Sequence, residues 1–155
     1  MSDVIDLVKA IKTQLAAAPG LAYVKHFDTS ENENDLVKKG KFPWVNVKIT
    51  NRRTTIAGSL SRRTHKRIIC NVIITFSVRD VSFKNAMEGG TDIKGIWDLQ
   101  NDIDTALDAD LSFGDLVNKS PYDPDTATDA VSIDSGRFWI GRGATKFNVF
   151  SDVNI

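Results

Sequence analysis

Cysteine occurs once, at Cys70, and histidine twice, at His26 and His65. One thiol cannot form an internal disulfide. Its neighbours Ile68, Ile69 and Val72 make an apolar setting in which a thiol stays protonated and inert, a small core residue. So few thiol and imidazole groups exclude a zinc centre. No apolar run approaches the roughly eighteen residues of a membrane span. No basic flank leads into an apolar stretch at the start, so no secretory signal is expected. Glutamate is also scarce, three residues against seventeen aspartates, and aspartate favours caps, turns and loops over helix interiors. These absences fit a chain that folds in a reducing, cytosolic environment. Nothing calls for a staple, because a domain of this size buries roughly 68–70% of its unfolded-chain surface.

Catalytic and cofactor patterns are missing too. There is no nucleophile elbow and no glycine-rich phosphate loop. Gly141-Arg142-Gly143 lacks a third glycine and a following helix, and reads as a tight turn between two strands. Asp108, Asp110 and Ser112 have the opening spacing of a calcium loop, but Phe113 stands where glycine is needed and Lys119 where the bidentate glutamate belongs. Asp123, Asp125 and Asp129 fail in the same way, with Ala127 and Thr128 in key places. The expectation is no enzyme, no metal and no cofactor.

What the chain has is segregated charge. Twenty bases and twenty acids give a formal net charge of zero. Residues 36–79 nevertheless hold eleven bases and no acid, and residues 80–136 hold three bases and thirteen acids. Six of the cations, Arg52, Arg53, Arg62, Arg63, Lys66 and Arg67, gather about one stretch that reads as a long hairpin loop closing near residues 57–58. Concentrated like charge repels unless something anionic faces it. Two partners qualify: nucleic-acid phosphate, or an acidic surface on another copy, for which Asp98, Asp102, Asp104 and Asp108 are the candidates. No aromatic residue lies in 51–67, so base stacking there is not expected.

Hydrophobic periodicity orders the elements. Val4, Val8, Ile11 and Leu15 mark a helix over 3–18, ended by Pro19-Gly20. A short strand follows at 21–27, then an acidic loop at 28–35, then a strand at 43–50 whose Val45, Val47 and Ile49 share a face. The strongest strand is 66–79: Ile68, Cys70, Val72, Ile74, Phe76 and Val78 form its core face. Its other face is half apolar, so it is covered within the domain or by a partner. Thr91 or Asp92 caps a second helix over 92–108, residues 109–130 read as irregular, and 131–153 as two strands about Gly141-Arg142-Gly143. The expected fold class is α+β, one domain over 1–155. A mixed or antiparallel sheet of four to five strands carries two helices on one face and a long protruding β-hairpin.

This layout resembles the tail terminator (tail completion) proteins of long-tailed bacteriophages. The shared features are an N-terminal amphipathic helix (VIDLVKAIKTQL), a strand (LAYVKHF), a Phe-Pro-led strand (FPWVNVKI) and a long hairpin. They continue with an Ile/Val-rich strand (RIICNVIITFSV), a mid-chain helix (TDIKGIWDLQNDIDTAL) and a closing strand (TKFNVFSDV). The resemblance implies a virion protein assembled in the host cytoplasm, without enzyme activity. It implies a hexameric ring that caps the tail tube, stops its growth and offers a surface to the head connector, away from any membrane. In such proteins the hairpin serves ring contacts and the lumen through which DNA passes. Carried here, that role falls on Arg52, Arg53, Arg62 and Arg63, with Lys66 and Arg67 beside them. Charge alone leaves a nucleic-acid-binding module open, and a small enzyme whose site forms only on folding.

Overall fold

A computed structural model describes residues 4–29, 42–59, 62–114, 116–117, 125–133 and 137–154, with the backbone alone for 56–59, 62–65, 125–133 and 152–154. The fold is α+β. Strands β1 (His26–Asp28), β2 (Trp44–Ser59), β3 (Arg62–Asp80), β4 (Asp125–Ile133) and β5 (Phe138–Asn154) form one sheet in the order β1-β2-β3-β5-β4. The β1–β2 pair is parallel and the rest are antiparallel. Helices α1 (Val4–Ala17), α2 (Phe83–Glu88) and α3 (Ile96–Asp108) all pack on one sheet face. The acidic loop expected at 28–35 falls largely outside the described residues.

β3 is the spine. Its even-numbered residues from Ile68 to Val78 are buried against the helices, as the alternation requires. From α1 they receive Leu7, Val8, Ile11 and Leu15, and from α3 Ile96, Leu99, Ile103 and Leu107. Stripes at this helical spacing bury roughly 1.5–3 kcal/mol per large apolar side chain. Phe113 closes one end of the core, stacked on Phe147 at 6.1 Å. The sheet's outer face is covered within the domain only near one end, where Trp44, Asn46, Ser77 and Ile140 are fully buried.

The stretch 51–59 is strand, not loop, and the hairpin does not close at 57–58: pairing continues through Gly58–Arg63 to Ser59–Arg62. A bulge at Thr50 explains why the alternation hides this. Val45, Val47 and Ile49 face the helices, but beyond the extra residue the register sends Arg52 and Thr54 to that side, opposite Cys70 and Ile68. Nor is most of the projecting part a two-stranded hairpin: β5 runs alongside it as far as His65, pairing Arg67 with Asp152 and His65 with Asn154. We call this three-stranded extension the arm.

Three further expectations are corrected. Pro19–Leu21 is a 3-10 turn and the first strand is only three residues long. Helix α3 starts at Ile96, not at 92, and neither Thr91 nor Asp92 caps it. A tight turn bridges Gly90 to Ile93 first, and the Asp98 carboxylate accepts the Gly95 N–H at 3.1 Å. Gly95 is needed there because a Cβ would lie 2.4 Å from Gly89 N and 2.6 Å from Met87 O. Helix α2 is additional; its six residues are too short to show a periodicity.

Finally, Gly141-Arg142-Gly143 is not a turn. It lies inside β5, and the chain reverses between Ile133 and Phe138. Gly141 is glycine because α2 and α3 press onto the sheet there: a Cβ would sit 2.9 Å from Ile96 Cβ, 3.0 Å from Ala86 O and 3.2 Å from Val78 Cγ2. Gly141→Ala is therefore expected to destabilise the chain by about 1–3 kcal/mol in urea unfolding. Gly20→Ala, whose Cβ would meet nothing nearer than 4.0 Å, is expected to stay within about 0.5 kcal/mol of wild type.

Candidate functional site: a basic sheet face

The six cations picked out from the sequence all lie on the arm, but on both of its sides. Arg52 pairs in register with Cys70 on the helix side, and Arg53 pairs with Ile69 on the outer side; both are exposed. Lys66 is half-buried on the helix side. Arg67 is exposed on the outer side, its guanidinium 4.4 Å from the Phe150 ring centre, which holds the charge against the sheet. Arg62 and Arg63 sit beside the turn, paired with Ser59 and Gly58. Cys70 is fully buried, and burial pushes its thiol pKa up despite nearby Arg52, so it is a core residue.

Register assembles a larger group than the run of arginines suggests. The outer-face side chains of β2, β3 and β5 include Lys48, Arg53, Arg67, Arg79, Arg142 and Lys146. Among the described side chains on that face of these three strands there is no acid. Arg53, Arg67 and Lys146 are exposed. Arg79 is half-buried, its guanidinium 5.0 Å from the Phe42 ring centre and 4.7 Å from that of Phe138. The acids in register with this face are Asp28 in β1, Asp125 and Asp129 in β4, opposite Lys146 and Arg142, and Asp152 in β5, opposite Arg67. Sequence reading missed Lys48, Arg79, Arg142 and Lys146 because they scatter over three strands. The available signal was parity, since each falls on the polar phase of its strand.

The acidic candidates on α3 divide into two pairs. Asp98 and Asp102 are half-buried on the stripe that faces the helix start and Tyr23. Asp98 closes the helix start, and Asp102 accepts the Tyr23 hydroxyl at 2.7 Å and lies 3.7 Å from Lys94. Asp104 is half-buried and Asp108 exposed on another stripe of the helix. Asp110, read against a calcium loop, caps its own turn, accepting from Ser112 Oγ at 2.6 Å, Gly114 N–H at 2.9 Å and Ser112 N–H at 3.0 Å. These bonds, the Ser112 hydroxyl first, hold its carboxyl below the usual range. Among the described residues no group of three or more His, Cys, Asp or Glu is placed to hold a metal ion. No described helix is long and apolar enough to cross a membrane.

Tyr23 gives a measurable consequence. Burial, then the bond to Asp102, raises its phenol pKa well above the ordinary value of about 10. A folded-state pKa raised above the unfolded one stabilises fully below the unfolded value and progressively less as pH rises beyond it. Tyr23→Phe is expected to cost about 1 kcal/mol at neutral pH. The gap between wild type and variant should close above about pH 10 in urea unfolding.

No family model and no curated protein matches the chain. Among solved structures, it is similar to a chain in the virion of a native gene transfer agent particle, with a TM-score of 0.40 and 13% identity over 97% of this chain and 100% of that one.

Proposed function

We propose that the chain is a structural, non-enzymatic virion subunit of the tail terminator kind. Copies join head to tail into a ring, hexameric by the resemblance. The ring caps the tail tube, ends tube polymerisation and presents the joining surface for the head connector. The observation that carries this reading is the basic outer face: six cations from β2, β3 and β5, with acids in register with it at the sheet margins and at Asp152, opposite Arg67. A face like this, turned inward in a ring, lines a lumen for passing DNA. Its cations meet phosphates without reading bases, because phosphate contacts carry no sequence information directly. The arm cations Arg52, Arg53, Arg62, Arg63, Lys66 and Arg67 carry positive charge onward on both sides of the arm, Arg53 and Arg67 on the outer face and Arg52 and Lys66 on the helix side, toward the lumen or the next subunit. The helices then lie on the ring's outside.

The test is assembly. A hexamer of the 17.1 kDa chain weighs about 103 kDa, a mass that light scattering separates from the monomer, and ring averages in electron microscopy give the symmetry directly. The expected result is a closed ring, alone at low salt or on purified tail tubes. A chain monomeric in both settings overturns the reading. Arg53→Ala/Arg67→Ala/Lys146→Ala should leave the ring intact and lower the salt slope of its weak, sequence-independent DNA affinity by about three. A monomer that instead binds DNA tightly points to a nucleic-acid-binding module using the same face.

A further inference from the structure

Two further features involve the helix layer. One is a groove of about 410 Å³ between α1 and β2, with Val4, Ile5, Val8 and Ile49 as apolar lining and Lys9, Lys12 and Lys48 as cations, the last shared with the basic face. Ile5 in it is 62% exposed. The other is the stripe of α3 that carries Trp97, Asp104 and Asp108, with Trp97 45% exposed. Residues 97, 104 and 108 fall within about 40° of each other around a helix of 3.6 residues per turn.

The two lie on opposite flanks. Gln14 of α1 faces α3, donating to Ala106 O at 3.0 Å and Asp110 O at 3.0 Å. Ile5, Lys9 and Lys12 project from roughly the other side of α1. On α3, the Asp102–Ala106 side faces α1 and the turn after it. Trp97, Asp104 and Asp108 project away from that neighbour. One flank thus presents an indole with two carboxylates, and the far flank presents an apolar groove with three ammonium groups, Lys9 and Lys12 from the helix and Lys48 from the sheet. Asp28, whose carboxyl is held below its ordinary range against some burial by the Thr29 N–H and His26 and, least, by Lys12, also borders this end of the sheet.

We infer that these flanks are the two halves of one contact between copies: Trp97 of one subunit seats in the Val4/Ile5/Val8/Ile49 groove of the next, and Asp104 and Asp108 face Lys9 and Lys12. The occupant is a second copy because size and charge both match. The groove exceeds the space of one indole, and a buried tryptophan ringed by charge pairs is the common form of an interface hot spot. Because donor and acceptor flanks differ and point apart, the contact is heterologous and propagates around a ring. The inference rests on the ring reading above and assigns the surface that builds the ring.

Sedimentation velocity on the full chain tests it. Trp97→Ser, Lys9→Glu/Lys12→Glu and Asp104→Lys/Asp108→Lys are each expected to weaken self-association at least tenfold. Carrying both charge reversals in one chain restores opposite signs across the contact and should recover most of that loss. Circular dichroism confirms that each variant keeps the fold, as changes at surface positions should. Rings that assemble as wild type despite Trp97→Ser and both single reversals overturn this interface and leave the ring reading standing. Loss in the reversals without recovery on combining them also overturns it. A wild-type chain that never assembles, with or without tail tubes, overturns both.

Discussion

A strand of nineteen residues in the middle of a sheet sets every other term of this fold. Its backbone N–H and C=O groups need partners on both sides, and buried ones left unpaired are costly. That requirement makes β2 sixteen residues long and β5 seventeen. The helix layer is far shorter, so the sheet outruns its cover. Where helices lie over it, the inner face is apolar. Beyond them, residues 51–55 are exposed and polar or charged. The division between core and arm is thus a difference in length between two layers.

The same pairing decides the site. Register brings Lys48, Arg142 and Lys146 onto one face with Arg53, Arg67 and Arg79, from two consecutive strands and a third far along the chain. Neighbouring cations on a sheet repel, and the chain manages this in two ways. Arg67 and Arg79 lie over aromatic rings, and β4 sets Asp125 and Asp129 in register beside the nearest cations. Asp152 stands in register with Arg67, and the other acids lie on the margins, so cations outnumber acids across the three inner strands.

How much was legible in the sequence depended on whether a signal was local. The inner face of β3 and the stripe of α1 obey strict periods and stood out. The run of basic residues was visible as a run, but its division between two faces was not. A one-residue bulge at Thr50 reverses the parity of every later residue in β2, and threonines and arginines without an apolar phase read as loop. Gly141 misled for a related reason. Its missing side chain answers to Ile96 and Ala86, which are remote in sequence and close only after folding. Asp125 and Asp129 argue against a strand by composition, yet β4 is paired through β5 alone among the described strands. The basic face needed register, which no single segment contains.

The three-stranded arm has a mechanical meaning. Ladder hydrogen bonds run across the strands, so a pull along the arm loads them in shear, many at once, whereas peeling a hairpin open would load them singly. With β2 and β5 flanking β3 on both sides, bending the arm also stretches two ladders instead of one. The protein thus extends a beam from its core, one suited to carrying force between neighbours without changing shape.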